Sequence, residues 1–274
     1  MDIINLYIDW KKNIKFEEVF ELNVLFDISY SDSLKRNIKN WIKTIPNLKL
    51  KNFILERGFE PTIRKGPNVK NQYRSFESYD TLFDELIGDS IFSPRLNYGF
   101  TSDETRDWQS CYFNLISELY PQETIEEIIN DSCDLIYMIM VSNPINFSWE
   151  MQYSVGAYKF KKGIDIVLDP KSRKKKVDIS KRHGRMTAIG NCYFKGASEY
   201  YFGPRIFNKI SIEKILAFKN AEKIEKLKHN IIYVKLFDEQ DYWEDFARKR
   251  LADFRAHLEI DRLEYEYLNS IKHL

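Results

Sequence analysis

Between Val19 and Asp27 the apolar residues Phe20, Leu22, Val24 and Phe26 alternate with Glu21, Asn23, Leu25 and Asp27. A period of two is what a strand with one covered face requires, although the upstream Phe16-Glu17-Glu18-Val19-Phe20 also suits a helix. It constrains this fold strongly, because helical periods are interspersed with such strands in no regular strand–helix–strand order. The expected class is therefore α+β, a mainly antiparallel sheet with packed helices and a C-terminal helical segment. With 274 residues the chain is long enough for a full core. We expect residues 1–274 to form one composite domain. A subdivision near 143–150, around Asn143-Pro144, is the alternative, but that stretch has no linker composition.

Along the chain, residues 3–9 read as a short strand. Ser31 or Ser33 caps a helix carrying Leu34, Ile38, Trp41, Ile42 and Ile45, and Pro46 ends it. Residues 56–75, with Gly58, Pro61, Gly66 and Pro67, read as loop, and a short helix from Ser78 ends at Gly88. Arg95–Thr101 and Cys111–Leu119 read as antiparallel strands joined by a polar loop. After Pro121 a helix places Ile125, Ile128, Ile129, Cys133, Ile136 and Met140 on one face, with Glu126, Glu127, Asp131 and Asp134 mostly off it. Strands are expected at 151–160, 164–168, 186–194 and 198–202. Ser211 caps a helix through Ile212, Ile215, Leu216 and Phe218, and His229-Asn230 turns into a strand over 231–237. A charged helix follows from about Asp241 to His257, then a further helical tail.

Composition excludes several classes. Hydrophobic residues make up 43% and aromatics 15%, too many for a disordered chain. Forty-two Lys and Arg against 41 Asp and Glu leave none of the basic excess typical of a protein devoted to nucleic acid. Cys111, Cys133 and Cys192 are far apart, which argues against a disulfide framework and against structural zinc. Neither a secretory signal nor a membrane-length apolar run is visible. A cytoplasmic protein with no membrane association is the expectation.

Motifs for catalysis are weak. The 10 glycines form neither a phosphate-binding loop nor a dinucleotide fingerprint. The four histidines give no paired metal spacing, and no nucleophile elbow occurs. Cys192 lies among apolar neighbours, where a small buried residue outweighs a reactive thiolate. Asp165, Asp169 and Lys171 carry the residue types with which metal-dependent nucleases hold Mg²⁺ and position water. Pro170 between them breaks the strand that such a site needs, so strand and turn is the better reading. The basic run Lys171-Ser172-Arg173-Lys174-Lys175-Lys176, extended by Lys181, Arg182, His183 and Arg185, could meet phosphates but lacks aromatics for base stacking. A solvated hairpin loop explains it better. We therefore expect no catalytic residue, cofactor or metal.

Two acidic surfaces suit protein recognition: Glu126, Glu127 and Asp131 after Pro121, and Asp238, Glu239, Asp241, Tyr242 and Trp243. Tyr and Trp supply anchoring area, and carboxylates speed encounter with a basic partner. The plainer alternative is that the aromatics anchor a helix on the core and the acids complement its dipole.

The layout also resembles immunity proteins of bacterial polymorphic toxin systems, in particular the immunity protein 52 family. The similar stretches are Leu6-Tyr7-Ile8-Asp9-Trp10, Leu96-Asn97-Tyr98-Gly99-Phe100 with Cys111-Tyr112-Phe113-Asn114-Leu115, and Ala188-Ile189-Gly190-Asn191-Cys192-Tyr193-Phe194. To these add Ile232-Tyr233-Val234-Lys235-Leu236-Phe237, leading into Arg248-Lys249-Arg250-Leu251-Ala252-Asp253-Phe254-Arg255. None is a specific motif, and residues 159–185 depart from the layout. The resemblance implies a cytoplasmic α+β protein that binds one cognate toxin or effector domain stoichiometrically, often a nuclease. It transfers no catalytic residue. The competing class is an enzyme or an accessory subunit of a phage-defence system acting on nucleic acid through Asp165, Asp169 and Lys171 or the basic loop.

Overall fold

The computed structural model describes residues 19–27, 54–56, 72–73, 90–92, 96–103, 108–116, 122–143, 146, 150–151, 165–169, 172–190 and 192–271. The expected strands at 3–9 and most of 151–160, and the helices expected from Ser31 and from Ser78, lie outside them.

Val19–Asp27 forms strand β1, as its alternation requires. It pairs with two later strands, β6 (Trp108–Ile116) and β7 (Ile136–Ser142), both antiparallel. β5 (Leu96–Asp103) pairs with β6, so the expected hairpin forms, although its strands extend into the stretch read as loop. Beyond β5 the sheet continues through β4 (Ser90–Phe92), β2 (Ile54–Glu56) and β3 (Gln72–Tyr73). Two pairings correct the reading of 56–75 as loop: Gln72 and Tyr73 of β3 pair antiparallel with Leu55 and Ile54, and Glu56 pairs with Ser90 of β4. On its other side β7 pairs with β12 (Glu199–Phe202), then β14 (Ile232–Lys235) and β13 (Lys223–Lys226). The resulting ten strands run β13-β14-β12-β7-β1-β6-β5-β4-β2-β3, with strands from both sides of residues 143–150 in one sheet.

Helix α1 covers Gln122–Ser132. It is shorter than the apolar spacing predicts: Cys133–Leu135 tightens into a 3-10 turn and Ile136 enters β7. Every residue of β7 is buried, so both of its faces are covered and its apolar run is continuous. That run happens to place Ile136 and Met140 in helical register with Ile125 and Ile129.

The two faces of the sheet are packed differently. Leu25, Met138, Met140, Tyr200, Phe202, Ile232 and Val234 belong to one core cluster with Leu251, Phe254 and Leu258. The last three come from helix α3 (Asp245–His257) and the residue after it. Phe254 is the hub, with ring centroids 4.9 Å from Phe218, 5.4 Å from Tyr200 and 6.1 Å from Phe202. By register, Leu22, Val24, Ile139, Val141 and Tyr201 form the opposite row, all buried. Ile125 and Ile129 of α1 line a cleft together with Tyr201 on that side.

Helix α2 (Ile212–Leu216) starts where Ser211 accepts a hydrogen bond from the Lys214 amide, the expected cap. α3 begins four residues later than predicted, since Glu239–Asp241 form a 3-10 turn first. α4 (Ile260–Ser270) follows after Glu259, which adopts a left-handed φ of 56°. The stretch 186–194, read as one strand, is two short strands, β10 (Thr187–Ala188) and β11 (Tyr193–Phe194), folded back on each other. Gly190 makes the reversal at φ 74°, with Lys209 packed where a side chain would stand. A separate hairpin pairs β8 (Ile166–Leu168) with β9 (Lys175–Val177), inside the basic run.

Candidate protein-binding surface

α1 carries Glu123, Glu126, Glu127 and Asp131 and no basic residue. Ile125, Ile128 and Ile129 fill its inner face, which leaves Glu123, Glu126 and Asp131 exposed and Glu127 half-buried. Glu123 in the first turn complements the helix dipole; Asp131 in the last turn opposes it. Gln122 Nε2 donates to Glu126 Oε1 at 3.0 Å, a neutral partner that leaves the carboxylate charge uncompensated.

Beside α1 lies a cleft of about 350 Å³. Ile125, Ile129 and Leu227 supply its apolar lining, Tyr201 its floor, and Glu126 faces Lys228 and His229 across it. The opposite wall is a tight turn in which His229 and Asn230 both take left-handed φ, 58° and 56°. Next to Tyr201 on the sheet, Tyr233 packs at a centroid distance of 4.8 Å and donates to Glu199 at 3.0 Å. Burial, and then the Glu199 charge, push the Tyr233 phenol well above its ordinary range. Tyr233 is thus a neutral donor on a half-open sheet face.

The second expected surface divides. Asp238 is exposed and pairs with Lys235 at 2.5 Å, and Trp243 is 53% exposed with its indole N–H donating to Asn146 Oδ1 at 2.6 Å. Asp241 is half-buried. Glu239 and Tyr242 are corrections: both point inward. Glu239 accepts from the Asn143 amide and from Asn146 Nδ2, each at 2.8 Å, and burial raises its pKa. Tyr242 is 1% exposed and donates to Glu150 Oε1 at 3.3 Å. In a 3-10 turn residues i and i+3 eclipse, so Glu239 and Tyr242 share the inner side. Asp238, Asp241 and Trp243 remain for a partner to meet. The Arg248 guanidinium stacks over the Tyr242 and Trp243 rings, 5.3 and 5.1 Å from their centroids.

A buried charged cluster lies behind that segment, and sequence reasoning missed it. Glu150, its side chain 1% exposed, forms an ion pair with Arg248, and its carbonyl accepts from Arg182 Nη1 at 3.1 Å. Gly184 and Gly196 let the backbone close over it: a Cβ on Gly184 would stand 2.1 Å from the Tyr242 hydroxyl, and one on Gly196 2.5 Å from Gly184 Cα. Lys195 is 1% exposed, and desolvation drives its amine down to about 7 against the opposing pull of Glu239. His183 is lowered as well, by burial and then by Arg248. The two glycines were the available clue, although a glycine in a basic loop reads equally well as turn.

Of the residues weighed for catalysis, Asp165, Asp169 and Cys192 are engaged locally, and Lys171 lies outside the described residues. Asp169 closes the β8–β9 turn, accepting from the Ser172 amide at 2.7 Å and from Lys176 Nζ at 2.9 Å. Those bonds hold its carboxyl far below the usual range. Asp165 pairs with Lys181 at 3.2 Å. Cys192 is 1% exposed, and burial pushes its thiol up to about 12. Among the described residues, no three His, Cys, Asp or Glu side chains are grouped so as to hold a metal ion. No helix among them is long and apolar enough to cross a membrane. No family model, no curated protein and no solved structure matches the chain.

Proposed function

We propose that this chain is a non-catalytic, cytoplasmic binding protein that neutralises a cognate bacterial toxin or effector domain by covering a basic surface of it. The observation that carries this reading is the acidic charge of α1, maintained into the last turn where the helix dipole disfavours it and placed beside a cleft with apolar lining. Opposite charge steers a basic partner, and the cleft offers it a desolvated anchor point. If the partner is a nuclease, its phosphate-binding residues are the basic surface that Glu126, Glu127 and Asp131 would engage. Asp238, Asp241 and the exposed Trp243 form a second contact region in this proposal.

The local engagement of Asp165 and Asp169 supports a binding role over a nucleic-acid-acting enzyme. The test is capture of the product of the adjacent gene by the purified protein. A one-to-one complex is expected, weakened by Glu126→Lys with Glu127→Lys and by salt. The absence of any complex, or Mg²⁺-dependent DNA or RNA cleavage abolished by Asp169→Ala, would sink the reading.

A further inference from the structure

Trp243 is an exposed ring that is nevertheless held in place. Tyr242 stands edge-on to it at a centroid distance of 5.2 Å, and the Arg248 guanidinium lies over it. Its indole N–H donates to Asn146 Oδ1 at 2.6 Å, and Nδ2 of the same amide donates to Glu239 Oε1 at 2.8 Å. Asn146 therefore joins a surface ring to a carboxylate inside the fold. One orientation of the amide serves both neighbours. The other sets Nδ2 against the indole N–H and Oδ1 against the carboxylate oxygen.

The charge on Glu239 selects that orientation, since a carboxylate accepts and never donates. Burial raises its pKa against the pull of its hydrogen bonds and of Lys195. Around Glu239 stand Lys195 between β11 and β12, Tyr200 on β12 and Tyr242 in the next position of helical turn. Burial holds both phenols above their ordinary range and so neutral, which leaves Lys195 as the cation of this group. Asp238 of the same segment faces outward to Lys235, and Glu150 beyond Tyr242 is paired with Arg248.

We propose that Glu239 is a proton-operated latch for Trp243: as a carboxylate it fixes Asn146 and the ring, and as a carboxylic acid it releases both. The acid has lost the charge that draws Nδ2 inward. It has also gained an O–H donor, which the amide answers by turning Oδ1 inward. Nδ2 then meets the indole N–H, donor against donor, and the ring lets go. The latch rests on the second contact region of the proposed function and adds its regulation, a complex that loosens as the solution is acidified.

The indole ¹H–¹⁵N resonance of Trp243, identified by its absence in Trp243→Phe, reads this bond in the full chain without any partner. As pH falls it is expected to step towards the position it takes in Asn146→Ala, at a midpoint above the ordinary carboxylate value of 4.5. Glu239→Gln cannot ionise and should abolish the step. Lys195→Met removes the opposing cation and should move the step to higher pH. Asn146 is half-buried, so Asn146→Ala tests the link even where Glu239→Gln fails to fold. A resonance that does not move with pH, a step that survives Glu239→Gln, or a step shared by every indole would each overturn the latch. So would a resonance that Asn146→Ala leaves at the wild-type position. Capture of the adjacent gene's product should weaken about tenfold across the same step, and Trp243→Phe should lose that dependence. An intact step with no complex captured would support the latch and sink the proposed function, so the two failures are distinguishable.

Discussion

The two faces of the sheet solve opposite problems. Under α3, aromatic rings surround Phe254, and the charges near that side, including Glu150, Lys195 and Arg255, are sealed from water. On the α1 side, the described residues place one helix over part of the sheet, beside a cleft and an exposed acidic surface. The first face holds the fold together, and at its margin Asp238, Asp241 and Trp243 are exposed enough to serve as the second contact region proposed above. The second contributes less to stability and carries the recognisable chemistry. Substitutions on the first face should appear in unfolding, and those on the second in binding.

The largest expected effect is on the sealed face. Phe254→Ala removes the hub ring and should lower unfolding free energy by about 3–5 kcal/mol, read from the urea midpoint. A loss below about 1 kcal/mol would mean that this face is not the stabilising one. Arg248→Met leaves the Glu150 carboxylate buried without its cation and should cost about 3 kcal/mol. Adding Glu150→Gln to it should recover part of that loss, whereas a merely steric role for Arg248 would give no recovery.

Lys195 sharpens the comparison through pH. Its folded pKa, about 7, lies below the ordinary 10.5, so between those values the unfolded chain binds the proton and the folded one does not. Stability contributed through this group rises as pH increases from about 7 to about 9, and below 7 the full cost of burying the ammonium is present. Thermal melts across that window should show the rise in wild type and its loss in Lys195→Met. Equal slopes in both proteins would refute the assignment. The smallest expected effect is on the open face: Glu126→Ala should change stability by no more than about 0.5 kcal/mol while weakening partner capture.

The sequence showed some of this better than the rest. β1 and the Ser211 cap were readable because a single short-range pattern determines each. The end of α1 was not, because β7 is covered on both faces and its unbroken apolar run imitates a continuing helix. β13 was missed for the opposite reason: Lys223, Glu225 and Lys226 give an edge strand no apolar alternation to detect. Among the candidate contacts, Glu126 and Trp243 lie at the surface, whereas Glu239 and Tyr242 turn inward through a 3-10 geometry that an acidic, aromatic segment does not reveal. Glu150 pairs with Arg248, and Lys195 feels Glu239, across distances in sequence that no local pattern spans.

The junction between α3 and α4 has its own consequence. Glu259 occupies a left-handed conformation that costs a non-glycine residue about 1 kcal/mol. Its carboxylate is gripped by Lys214 at 2.5 Å and Arg262 at 2.8 Å, while Asp261 bridges Arg185 and Arg255. Of α4 itself Ile260 enters the core and Leu263 packs against it, so these electrostatic clamps add to a small apolar contact in keeping the helix in place. High ionic strength should therefore loosen the C-terminal helix before the rest of the molecule responds, and protease susceptibility would begin there.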